Sequence, residues 1–150
     1  PAEHRVRMVE LAIADNPHLA LSRIDIDRPG PHYTLDMVRL LAAQHGPDTE
    51  LYFLMGLDSL ADLPTWHRPQ ELMQACRLAA FSRPDTEFDW TSLEAALPGV
   101  RAQVIVLPMP LLEISGRDLR QRARQGRPLR YQTPRQVEQY IAQHQLYRAA

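Results

Sequence analysis

Apolar positions in this sequence fall into two patterns, helix-length stretches with one apolar face and short runs that are apolar throughout. Met8, Val9, Leu11, Ala12 and Ile13 make His4 to Asn16 a helix that stops at Asn16-Pro17. Leu19, Leu21, Ile24 and Ile26 predict a strand running into the turn Arg28-Pro29-Gly30-Pro31. Thr34 reads as the N-cap of the next helix. Asp36 lies in its first turn, Leu35, Val38, Leu41 and Ala42 share a face, and Gly46-Pro47 ends it. Leu51 to Met55 is continuously apolar and closes on Gly56, as suits a strand buried on both faces of a parallel sheet. Helices around Ser59 to Leu63 and Pro69 to Ala75 lead to a second such run, Leu78 to Phe81. A helix near Ser92 to Leu97 precedes the third, Gln103 to Leu107, and helices follow over Ser115 to Gln125 and Pro134 to His144.

Strand and helix alternate with short connections. That order predicts one α/β domain over residues 1–150, built on a doubly wound parallel sheet with helices at its C-terminal side. In an open sheet of this kind ligands bind beyond the carboxyl ends of the strands. Attention therefore goes to Gly56 onward, to Ser82-Arg83-Pro84, and to Pro108 through Ser115.

Composition narrows the chemistry. Apolar residues make up 45% and charged residues 23%, the balance of an ordinary soluble globular protein. No run approaches the roughly 18 apolar residues of a membrane helix, and the first residues lack a signal-peptide stretch. A cytoplasmic protein without a membrane partner is expected. The net charge of −1 gives no case for a nucleic-acid partner. All 17 cationic side chains are arginine, which excludes a lysine Schiff base and a phosphate-cradling P-loop lysine. Any phosphate must be held by arginine, histidine, hydroxyls or backbone N–H groups. Cys76 is the single cysteine and sits in an apolar-leaning stretch, so it reads as packing.

Three constellations can carry chemistry. In Ile114-Ser115-Gly116-Arg117-Asp118-Leu119-Arg120, Ser115 is an N-cap with Asp118 three residues on. The helix N-terminus, the Ser115 hydroxyl and a back-leaning Arg120 form a possible triphosphate site, although a well-capped surface helix fits equally. Gly30-Pro31-His32-Tyr33-Thr34-Leu35-Asp36 is a second helix start able to take a carboxylate or phosphate. In the third, Gly56 permits close backbone approach and Asp58 can accept from ribose hydroxyls. Trp66, in the loop Leu63-Pro64-Thr65-Trp66-His67, suits either ring stacking or loop anchoring. His67 has no partner at a metal-ligand spacing.

These motifs, with Ser82-Arg83-Pro84 and Val137 to Arg148, stand in an order that resembles the bacterial nicotinate-mononucleotide adenylyltransferases over nearly the whole chain. The resemblance implies a Rossmann-like fold, with ATP and nicotinate mononucleotide as substrates and Mg²⁺ assisting. It also implies that backbone at Thr34 and His67, in the Tyr33-Thr34 and Trp66-His67 pairs, binds the nicotinate carboxylate while Trp66 stacks on the pyridine ring. Gly56 and Asp58 would line the groove near ribose. Ser115, Gly116 and Arg120 would hold ATP phosphates, with Arg83 on the adenine side. Alternatives are an acceptor such as nicotinamide mononucleotide or phosphopantetheine, or a non-catalytic nucleotide-binding module.

The sequence departs from the family pattern in two places. Ser115-Gly116-Arg117 replaces the usual Ser-Ser/Ala-Thr. The family's opening strand and its Gly-x-Phe-Asp-Pro-x-His-x-Gly-His loop have no counterpart here, so no catalytic residue is assigned. The expectation is a chain that starts partway through the fold, lacking the first strand and helix. Apolar edges left without that strand predict poor stability of the chain alone or self-association into a homo-oligomer.

Overall fold

The three apolar runs become the three strands of one parallel sheet in the computed structural model, which describes residues 1–82, 88–110 and 112–148. The elements begin with α1 (Ala2–Ile13), α2 (Thr34–His45), β1 (Tyr52–Gly56), α3 (Leu57–Ala61), a 3₁₀ turn (Leu63–Thr65) and α4 (Pro69–Ala75). They continue with β2 (Arg77–Ser82), α5 (Trp90–Ala96), α6 (Val100–Gln103), β3 (Val104–Pro108), α7 (Gly116–Arg124) and α8 (Arg135–Gln143). These elements form two compact units, one of Ile24–Leu111 and one joining Pro1–Arg23 to Leu112–Ala150.

The Ile24–Leu111 unit contains the sheet, ordered β1-β2-β3 with both pairs parallel. Strands that advance in one direction through right-handed crossovers place their connecting helices on the same face. Phe53, Met55, Leu78, Ala80 and Val104 point to that face and join a core with Leu35, Leu60, Leu63, Leu72 and Val100. The opposite face stays open. Tyr52, Leu54, Ile105 and Leu107 are 45, 60, 40 and 38% exposed. The expectation that Leu51 to Met55 is buried on both faces therefore fails, because β1 is an edge strand with Tyr52 and Leu54 exposed; the central β2, expected as a buried strand, has Leu78, Ala79 and Ala80 all buried.

Three other expectations change. Leu19 to Ile26 forms no strand, because no neighbouring strand pairs with it and Asp25 instead bonds Arg28 in a local turn. Tyr33 and not Thr34 is the N-cap of α2, with extended backbone at φ −86, ψ 140 and no side-chain cap. The helix after β1 starts at Leu57, two residues before the expected Ser59, directly on leaving the strand. The α2 stop is as expected: Gly46 takes φ 85, and its N–H donates to Ala42 O.

Cys76 is buried at the end of α4, its thiol directed at Leu72 O at 3.5 Å. Burial pushes its pKa up to about 11, so the thiolate is absent at neutral pH. A disulfide-exchange reagent at pH 8 is expected to leave native Cys76 unmodified and to titrate one thiol after urea unfolding. Rapid reaction in the native protein would contradict this burial.

In the other unit α1 meets α8: His4 Nδ1 lies 2.8 Å from the Tyr140 hydroxyl, and Val6, Leu129 and Val137 are buried. Arg23 makes a two-pronged ion pair with Glu3 at 2.9 and 3.1 Å.

Candidate functional site

Parallel pairing brings the carboxyl ends of β1, β2 and β3 to one edge of the sheet, where Gly56 is in register with Phe81 and Ser82 with Pro108. Gly56 has φ −80, a conformation open to any residue, so its lack of a side chain serves space. Asp58 folds back from the first turn of α3, and its Oδ1 stands where a Cβ on residue 56 would go. Gly56 and Asp58 are thus one feature, a carboxylate laid over the end of β1. Arg83 and Pro84, expected near the same edge, lie outside the described residues.

Tyr33 and His67 come together across 34 positions of sequence, their rings stacked at 3.9 Å with 15° between planes. The stack joins the start of α2, where Thr34 is the first helical residue, to the loop that leads into α4. Trp66 is half-buried and packs on the core, edge-on to Phe53 at 5.9 Å. This contact holds its loop against the core and leaves part of the ring exposed. Arg68, which follows, has φ 50 and N-caps α4, so the chain turns sharply just after His67.

The loop before Tyr33 is held by a residue that sequence reasoning treated only as part of a turn. Arg28 donates to Asp25 Oδ1 at 2.6 and 3.0 Å, to Pro31 O at 2.9 Å and to Tyr33 O at 3.1 Å. The Asp36 carboxylate, in the first turn of α2, is 3.9 Å away. The spacing of Asp25, Arg28 and Asp36 was the available signal, but the carbonyl partners exist only once the loop has folded.

The second unit carries the other expected constellation at the start of α7. Ser115 is the N-cap, and its Oγ accepts the Asp118 N–H at 3.1 Å. That leaves the Ser115 hydroxyl hydrogen and the amides of Gly116 and Arg117 free of helical duty. Arg120 leans back along the helix as expected, so that a Cβ on Gly116 would lie 3.2 Å from its Nη1. An anion at this terminus would meet a guanidinium, a hydroxyl and backbone N–H groups together. Arg122 has a different task, donating to Pro128 O at 3.1 and 3.4 Å and closing the turn after α7. Among the described residues no three His, Cys, Asp or Glu side chains cluster to hold a metal, and no helix is long and apolar enough to cross a membrane.

Residues 1–122 match the cytidylyltransferase-like family model. A probable nicotinate-nucleotide adenylyltransferase of Thermomicrobium roseum is 47% identical over 99% of this chain and 69% of its own length. The protein of that name in Roseiflexus sp. is 46% identical over 99% of this chain and 73% of its own length. In Symbiobacterium thermophilum the figures are 45%, 98% and 71%. Among solved structures, the nicotinic acid mononucleotide adenylyltransferase of Plasmodium falciparum, complexed with NaAD, superposes with a TM-score of 0.70 at 19% identity. That match covers 97% of this chain and 73% of the solved one, and it gives the same α/β, Rossmann-like fold. With the motifs in family order and this extent of identity, the chain belongs to the cytidylyltransferase-like family, among its nicotinate-nucleotide adenylyltransferases.

Proposed function

We propose that this protein transfers the adenylyl group of ATP to nicotinate mononucleotide, giving nicotinate adenine dinucleotide and pyrophosphate in NAD biosynthesis. The observation that carries the reading is 47% identity along 99% of the chain to a relative bearing that activity's name. Backbone N–H groups at Thr34 and His67 receive the nicotinate carboxylate, and Trp66 offers its indole to the pyridine ring. Gly56 and Asp58 line the groove near ribose. Ser115, Gly116 and Arg120 hold ATP phosphates, with Arg83 on the adenine side.

In the reaction a phosphate oxygen of the mononucleotide attacks the α-phosphorus of ATP. The bond from that phosphorus to the oxygen bridging the β-phosphate breaks, and its electron pair leaves on pyrophosphate. Positioning and charge neutralisation carry such a step without a protein nucleophile. Adenylyl transfer from ATP uses a divalent metal ion, and Mg²⁺ is the ion we assign.

A panel of nicotinate mononucleotide, nicotinamide mononucleotide and phosphopantetheine with ATP and Mg²⁺ tests the assignment through pyrophosphate release and product identity. Nicotinate mononucleotide is expected to give the highest kcat/KM. A preference for phosphopantetheine, or nucleotide binding without turnover of any acceptor, would overturn it. Gly56→Ala gives a second test. Because φ is ordinary there, the fold should tolerate alanine, but the new Cβ must displace the Asp58 carboxylate. A rise of about tenfold in KM for the mononucleotide, with the melting temperature kept, is expected for one lost polar contact. Unchanged KM would remove Asp58 from the ribose.

A further inference from the structure

We infer that Arg28 is the positioning residue for carboxylate recognition, holding Thr34 and His67 in the geometry that favours a nicotinate over a nicotinamide acceptor. The inference deepens the proposed function and rests on it.

The Arg28 side chain is 15% exposed, and its guanidinium donates four hydrogen bonds within this chain. Asp25 orients and neutralises it from one side. The other N–H groups hold the carbonyls of Pro31 and Tyr33, the residues that lead into α2. Pro31 lies outside any helix or strand, so no ladder would otherwise fix its carbonyl. Tyr33 carries the constraint in two directions. Its carbonyl also accepts the Met37 N–H at 3.3 Å, which sets where α2 begins and how the Thr34 amide is aimed. Its ring lies flat on His67, which ties the Trp66-His67 loop to the same frame. One partly buried cation thereby registers both backbone donors that the carboxylate needs.

The chemistry of discrimination follows from that registration. Two fixed N–H donors suit a carboxylate, which is charged and accepts at both oxygens. A carboxamide presents an NH₂ to one of them and leaves a polar pair unmatched. If the donors drift apart, the carboxylate loses its advantage, and binding falls most for the acceptor that used both. Arg28 already has its partners, so its contribution is geometric and separable from charge. Arg28→Lys keeps the charge, but one ammonium cannot span Asp25 and two carbonyls as the planar fork does.

The test compares Arg28→Lys with wild type in three readings: the kcat/KM ratio for nicotinate over nicotinamide mononucleotide, the KM for ATP, and the amide ¹H–¹⁵N shifts without ligand. The expected result is a ratio lowered about tenfold or more, ATP KM within twofold of wild type, and shifted Thr34 and His67 amides. Wild-type ratio and amide positions in Arg28→Lys would overturn the inference, as would an equal loss toward both acceptors. If Arg28→Lys does not fold, Asp25→Asn, which frees the guanidinium from its orienting carboxylate, must lower the ratio in the same direction; an unchanged ratio sinks the proposal. Should the wild type fail to use nicotinate mononucleotide, the functional reading falls, while the amide shifts still judge the clamp by themselves.

Discussion

Arg120→Ala is expected to lower kcat/KM for ATP by about a hundredfold while leaving KM for nicotinate mononucleotide nearly unchanged. The side chain is exposed, so its loss should hardly affect the melting temperature. Its guanidinium lies back over Gly116, beside the first-turn amides and the Ser115 hydroxyl of α7. When pyrophosphate departs, negative charge grows on the oxygens that this terminus would face. A fixed cation there is worth more in the transition state than in the bound ground state, so kcat should carry most of the loss. Arg120→Lys should recover part of the rate, since it restores charge without the fork. Initial rates at varied ATP measure this directly. Wild-type ATP kinetics in the alanine variant would remove Arg120 from the phosphate site.

The largest effect on stability is expected at Leu78. It is fully buried near the start of the central strand β2, in register with Phe53 on one side and Val104 on the other. Leu78→Ala removes buried methyl groups where strands on both sides and helices above limit relaxation, and should cost about 2–5 kcal/mol in urea unfolding. Leu54→Ala is the matched control. Leu54 is one strand away but 60% exposed on the open face, and its loss should cost no more than about 0.5 kcal/mol. Equal losses at the two positions would mean that the open face is covered in solution.

The features read correctly from sequence are those whose causes lie within one turn or one short run. The Ser115 cap joins residues three apart, the Gly46 stop acts on the preceding turn, and α4 begins at Pro69 as read. The features missed depend on how a loop closes on itself once the chain is compact. Leu19 to Ile26 has the alternation of a strand, but a strand exists only against a neighbour, and Asp25 found Arg28 first. Tyr33 took the cap position expected of Thr34, in a loop held from outside by Arg28.

The sequence by itself determined the α/β class, the three strand cores, the helix ends at Gly46 and Ser115, and the family, through motifs in a distinctive order. Each of these is local chemistry or a linear pattern. Only the tertiary structure decided that β2 is the strand buried on both faces, because the side of the sheet taken by each crossover is not written in any one run. Only the tertiary structure stacked Tyr33 on His67 and closed Arg28 on Asp25 and two carbonyls. The ring partner 34 positions away and the carbonyls that Arg28 takes are chosen by how the loops pack, and no local pattern contains that choice.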